Sequence, residues 1–441
     1  MNPQRFLRLV SGAMAALGIS AAAIVALNLR GEDPLPSAET LKPTPALVAQ
    51  GEYLTRVGNC MACHTVQGGA PFAGGRGIET PFGVVYSSNL TPDKATGLGA
   101  WTSAEFWRAM HNGRGKDGRL LYPAFPYTSY THVTREDSDA IFAYLQSLPP
   151  VAQANKAHAL RFPYSTQAAL GVWRALFFTP ADAAQPAPPA PQALATAQVP
   201  DYQRGAYLVN GLGHCAACHT PRNSLGAEQQ GQALAGGLIP VQNWLAPALT
   251  DAGQAGVQRW PQADVVALLK TGVAPQASVI GPMAEVVFRS TQYLSDADAR
   301  AMAVYLQALP QHAATPAKQA AAPASVMERG AKVYEAQCAQ CHGAQGQGAK
   351  DEAGQPAFPP LAGNRAVVLA DPTNLVRVVL QGGYLPATAG NPRPHGMPPF
   401  QHLLGDEDVA AVTTFVRNSW GNQAAGVGTI EVYRARERRT P

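Results

Sequence analysis

One pentapeptide occurs three times in this 441-residue chain: Cys60-Met-Ala-Cys-His64, Cys215-Ala-Ala-Cys-His219 and Cys338-Ala-Gln-Cys-His342. C-x-x-C-H is the attachment pattern of a c-type haem. Two thiols bond to the porphyrin edge, and the histidine beside the second thiol reaches the iron from one face. The six cysteines of the chain fall into these three pairs with none left over. A structural zinc site wants four ligands, and the next cysteine pair is always more than a hundred residues away. Disulfides suit an exported chain but give the adjacent histidine no reason to recur. A thioredoxin-like pair would sit in a βαβ pattern, and none surrounds these motifs.

The length fits about three domains of 100–150 residues. Charged residues make up 14%, against roughly 25% in an average soluble chain. Glycine and proline number 42 and 38, so loops are extensive. The formal charge of +4 gives no strong basic face, so nucleic acid is not an expected partner. Near the N-terminus, Arg5 and Arg8 precede residues 9–29, which carry no charge. At 1.5 Å per residue that run spans about 30 Å, the depth of a bilayer core. Residues 1–30 read as an uncleaved membrane anchor, with a removed signal as the alternative; Ala23-Ile-Val-Ala26 is only a fair cleavage site. With the positive flank inside, the remainder faces the periplasm across the inner membrane.

Residues 180–192 and 311–325 are rich in alanine and proline and read as spacers. They divide the chain into modules at 46–150, 200–310 and 326–421. Residues 151–199 form a connector and residues 422–441 a tail. Each module opens on a helix that runs toward its motif, through Gly51, Gly205 and Gly330. Each closes on another, after Thr134, Ser295 and Gly405. The first two closing helices loosely fit a capping box, with Asp137 and Asp298 in the glutamate position. The expected architecture is a small all-α haem module, with loops and a middle helix between the two. The connector contains an aromatic stretch from Leu160 to Phe178, which either packs on its own domains or docks on a partner or membrane surface.

The sixth iron position decides what a haem can do. Only eight methionines are present, so elimination is possible. Met397 in His395-Gly-Met-Pro-Pro399 and Met283 in Ile280-Gly-Pro-Met283 lie in proline-stiffened loops before the closing helices. They follow their motif histidines at similar distances, 397 − 342 = 55 and 283 − 219 = 64 residues. Met327 lies ahead of its haem motif and Met302 is buried in its closing helix; a lone methionine is otherwise core filler. Module one has Phe125 in the equivalent slot, and phenylalanine cannot bind iron. Its candidates are Met110, at the end of a helix from Ser103, with His111 and His132 as rivals or an open iron. His158, His214, His312 and His402 read as exposed or capping residues. Arg222 either meets a haem propionate or is solvated.

With Ser88-Asn-Leu-Thr-Pro-Asp93, Thr96-Gly-Leu-Gly-Ala-Trp101, the Tyr122-Pro-Ala-Phe-Pro-Tyr127 loop and Gly211-Leu-Gly-His-Cys-Ala-Ala-Cys-His-Thr-Pro-Arg222, residues 46–421 resemble a known family. It is the tri-haem cytochrome c subunit of membrane-bound bacterial alcohol, gluconate, sugar-alcohol and aldehyde dehydrogenases. The resemblance implies three tandem class I cytochrome c-like domains after an N-terminal transmembrane or signal helix. It implies three covalent haem c groups, held at Cys60, Cys63, His64, Cys215, Cys218, His219, Cys338, Cys341 and His342. It further implies electron transfer from a catalytic subunit of molybdenum, PQQ or flavin type to ubiquinone or a terminal oxidase. Family members usually carry methionine where this chain has Phe125, so that ligand does not carry over. The segment around residues 27–34 is similar to cytochromes paired with molybdenum hydroxylases. No substrate-processing constellation is visible, so the chain is expected to be no enzyme itself. The competing expectation is that haem one is open and binds small ligands or reduces peroxide.

Overall fold

The computed structural model describes residues 3–32, 34–35, 41–182, 188–311, 322–350, 354 and 356–437. Two compact bodies emerge. The first contains the N-terminal helix, module one and most of the connector; the second contains modules two and three.

Each module rests on one crossing of its opening and closing helices. In module one these are Pro45–Val57 and Arg135–Ser147, in module two Val199–Asn210 and Asp296–Gln307, and in module three Ala324–Gln337 and Asp406–Arg417. The crossing point is a glycine each time. A Cβ on Gly51 would lie 2.5 Å from the Ala140 carbonyl carbon and 2.8 Å from Tyr144 Cβ. On Gly205 it would lie 2.6 Å from the Ala301 carbonyl carbon and 2.8 Å from Tyr305 Cβ. On Gly330 the neighbours are Phe415 Cβ at 2.6 Å and the Ala411 carbonyl carbon at 2.8 Å. Only a residue without a side chain lets these backbones approach so closely.

A polar clamp sits one residue before each glycine. Gln50 Nε2 donates to Asp137 Oδ1 at 2.8 Å. Arg204 donates to both oxygens of Asp298 at 2.8 and 2.9 Å. Arg329 Nε donates to Asp408 Oδ1 at 2.8 Å. This revises the capping-box expectation. Thr134 and Ser295 do accept from the amides of Asp137 and Asp298. The aspartate carboxylates, one methylene shorter than glutamate, reach across to the opening helix. A complete box occurs elsewhere, where Thr102 and Glu105 exchange bonds at the start of the middle helix Ser103–Asn112.

Helices dominate, and short hairpins pin the loops between them. Gly77–Thr80 pairs with Gly83–Tyr86, Gly237–Ile239 with Trp244–Ala246, and Gly383–Tyr384 with Gly396–Met397. The all-α expectation is amended to that extent. The tail also carries structure. Helix Thr429–Glu437 buries Val432 and Ala435 against Val376, Leu380 and Val409 of module three, and Arg436 bonds Asp406 at 2.7 Å.

In the first body, the helix Pro3–Leu29 includes the apolar run Leu9–Leu29, long enough to cross a bilayer. Its last turn is fixed to the connector helix Gln167–Phe177. Asn28 Nδ2 donates to Gly171 O at 2.9 Å, and Arg174 Nε donates to Asn28 Oδ1 at 3.0 Å. Arg114 joins Glu32 at 2.9 Å. Arg174 is 3% exposed, with its guanidinium over the rings of Tyr127 and Phe178. The aromatic connector therefore packs in part on its own module, while Phe162, Val172 and Leu176 remain exposed.

Candidate haem sites

The three motifs form short helical turns: Cys60–His64, Ala216–His219 just after Cys215, and Ala339–His342 just after Cys338. In each, the histidine ring is held by a backbone carbonyl from a following loop. His64 Nδ1 donates to Ser88 O at 2.7 Å, His219 Nδ1 to Pro247 O at 2.7 Å, and His342 Nδ1 to Pro359 O at 3.0 Å. A proton committed to Nδ1 makes Nε2 the lone-pair nitrogen, the form that binds a metal. Burial holds all three imidazoles below their ordinary pKa, against the opposing pull of the carbonyl bond. Burial, and secondarily the neighbouring thiol, pushes Cys60 and Cys215 up to about 12 and Cys338 to about 11. Among the described residues no group of three or more His, Cys, Asp or Glu side chains is placed to hold a metal ion.

Module three shows the cavity itself. Cys338, His342 and Met397 all line it, with Leu361, Val412 and Phe400. Met397 is the second residue of its short strand. Gly382, at φ +72°, lets the middle helix end against the Met397 carbonyl. An apolar slot with a carbonyl-oriented imidazole and a thioether is chemically suited to a haem. In module two, Met283 is not in a loop as the spacing suggests. It sits in the first turn of helix Pro282–Arg289, because Pro282 starts that helix.

Module one differs. Phe125 packs against Tyr130 with ring centroids 5.4 Å apart. Burial first, and the Cys60 and Cys63 thiols second, push the Tyr130 hydroxyl well above its ordinary pKa. Met110 is 5% exposed and one helical turn from Phe106, whose ring meets Phe142 of the closing helix at 5.3 Å. His111 is buried and stacked on Trp107 at 4.5 Å. His132 is half-buried, and burial lowers its pKa.

The remaining histidines divide. His158 and His402 are exposed, and His158 Nδ1 accepts from the Tyr86 amide at 3.1 Å. His214 is half-buried at φ +37° in the turn leading to Cys215. His312 lies outside the described residues. Arg222 donates to Ala217 O at 2.9 Å and approaches Glu228 at 3.9 Å, which occupies it within its own module. The carbonyl partners Ser88, Pro247 and Pro359 carry no side-chain signal that a sequence could reveal.

Thiol pairs on a helical turn, an oriented histidine behind them and an apolar slot in front define a c-type cytochrome. The chain belongs to the cytochrome c family, whose model, described as "Cytochrome c", matches residues 48–149, 202–310 and 327–420. It is 39% identical over 407 residues to the cytochrome c subunit of a quinone alcohol dehydrogenase from Gluconacetobacter polyoxogenes, covering 89% of this chain and 84% of that protein. It is 40% identical over 401 residues to the gluconate 2-dehydrogenase cytochrome c subunit of Pantoea cypripedii, covering 88% of each. The fructose dehydrogenase cytochrome subunit of Gluconobacter japonicus is 35% identical over 431 residues, 90% of this chain and 85% of that protein. The chain is thus related to dehydrogenase cytochrome subunits, which transfer electrons and are not the catalytic component.

Proposed function

We propose that this protein binds three haem c groups and relays single electrons from the catalytic subunit of a periplasmic dehydrogenase to ubiquinone or the respiratory chain. The threefold histidine–carbonyl arrangement carries this reading, since it prepares three imidazoles in the same metal-binding tautomer. The haem supplies one-electron cycling between ferrous and ferric iron. The chain supplies attachment, axial ligands and an apolar surround that sets the potential. His64, His219 and His342 take the fifth positions. Met283 and Met397 take the sixth in modules two and three, and Met110 is the methionine we assign to module one, with His111 and His132 as rival donors. Cys60, Cys63, Cys215, Cys218, Cys338 and Cys341 form the thioethers.

The partner is a catalytic subunit of molybdenum, PQQ or flavin type. The run Leu9–Leu29 anchors the protein in the inner membrane with its haem modules in the periplasm. The junction of Asn28 with Gly171 and Arg174 favours a retained helix, because its last turn is part of the module-one body. A pyridine haemochrome assay with intact-mass measurement tests the core of this proposal: three covalent haems are expected. Free sulfhydryls without added mass would overturn it. Detergent purification of the native complex should bring down a dehydrogenase subunit.

A further inference from the structure

We infer that module two builds part of the haem cavity of module three, through the segment that also carries Met283. The inference rests on the haem and ligand assignments just proposed. Ser278 and Ile280 both line the cavity that contains His342 and Met397. The segment is fastened from its N-terminal side. Gln276 O accepts from the Arg365 amide at 2.8 Å. Asn364, 2% exposed, donates to Ser278 Oγ at 3.1 Å and to Pro360 O at 2.9 Å. Pro360 follows Pro359, whose carbonyl holds the His342 ring. Hydrogen bonds thus connect module two to the loop that orients the iron-binding imidazole of module three.

The other flank is equally constrained. Gly281 adopts φ +54°, and a Cβ there would lie 2.8 Å from the Trp244 ring. Trp244 carries the Arg377 guanidinium of module three 4.8 Å above its ring. The next residue, Leu245, exchanges two bonds with the buried Asn374 side chain at 2.9 and 2.7 Å. Met283 follows Ile280 by three residues, a reach of at most about 11 Å even when fully extended. One fixed segment therefore faces the third haem site at Ile280 and presents the proposed second haem's ligand at Met283. The environment of haem three is set partly from outside its own module, and modules two and three act as one di-haem body.

The test uses the full-length holoprotein and spectroelectrochemical titration. Met283→His and Met397→His first label the midpoints of haems two and three, since replacing sulfur with imidazole lowers the potential. Ile280→Thr then places a hydroxyl on the apolar wall, which favours the charged ferric state. Ile280→Val controls for lost volume. The expected result is a lower haem-three midpoint in Ile280→Thr, a smaller change in Ile280→Val, and full haem content in both. No movement of any midpoint, or movement of haem two alone, overturns the inference. If Met397→His leaves every midpoint unchanged, the Met397 ligand assignment fails instead. Ile280→Thr is then judged by whether a midpoint other than the one labelled by Met283→His moves.

Discussion

Gly205→Ala should destabilise module two, and the structure says by roughly how much. The added methyl carbon would fall 2.6 Å from the Ala301 carbonyl carbon and 2.8 Å from Tyr305 Cβ, with the Ala301 oxygen nearer still. Carbon atoms in contact settle at about 3.5–4.0 Å, so the helices must separate by about 1 Å. The obstruction is helix backbone and a Cβ, and neither can rotate away. Alanine would by itself favour the helix by about 1 kcal/mol over glycine. Overpacking a tight core costs typically 1–3 kcal/mol. Separation here also strains the Arg204–Asp298 clamp and the packing of Ala206, Val209 and Met302. The steric term wins, and after the propensity gain is subtracted a net loss of up to about 2 kcal/mol is expected.

For a domain of about 100 residues each kcal/mol lowers the melting temperature by about 4–8 °C. If modules two and three unfold together, the larger unit reduces that to about 2–4 °C per kcal/mol. Calorimetry of the holoprotein, with hydrogen exchange across helices Val199–Asn210 and Asp296–Gln307, measures both the size and the place of the loss. Gly426→Ala is the control, because its nearest neighbour is Thr414 Cγ2 at an ordinary 3.5 Å. Equal stability of the two variants would refute the argument that backbone contact fixes this glycine.

Other outcomes follow from the sites and the anchor. Met283→Ala and Met397→Ala should each remove one sulfur–iron charge-transfer contribution and lower one midpoint; Met110→Ala should do the same for haem one, and an unchanged spectrum would pass that position to His111 or His132. Carbon monoxide titration of the reduced protein should show essentially no binding, whereas one equivalent per chain would place an open iron at haem one. Asn28→Ala removes a neutral acceptor from the buried Arg174 guanidinium and should weaken the junction by about 1.5–3 kcal/mol, read as faster hydrogen exchange in helix Gln167–Phe177.

The haem motifs were legible because thioether chemistry admits few residue types at few spacings. The opening and closing helices were legible from apolar periodicity and from the residues that start them. The steric role of Gly51, Gly205 and Gly330 was not, although each stands at the same place in its opening helix. A glycine in a helix gives no sign of which backbone will approach it. The carbonyl partners of the histidines were hidden for a related reason: every residue has a carbonyl, so Ser88, Pro247 and Pro359 carry no distinctive chemistry. The tail helix was also missed. Its two buried side chains, Val432 and Ala435, are too few for a periodic signal.

The modules differ in how tightly each part is constrained. At the helix crossing, any side chain on the glycine meets backbone, and the acid three residues before the contacted alanine has a donor opposite: Asp137 with Gln50, Asp298 with Arg204, Asp408 with Arg329. The donor varies while the geometry repeats. The proposed sixth ligands of modules two and three sit on no such crossing: Met283 is in the first turn of a helix and Met397 in a two-residue strand, while Phe125, in the equivalent slot of module one, is in a loop. Such segments take their position from whatever packs behind them, as Ile280 and Asn364 do between modules two and three. On the proposed ligand assignments, redox character can differ among three modules whose helical frames repeat, and Phe125 marks the module whose slot departs furthest from methionine.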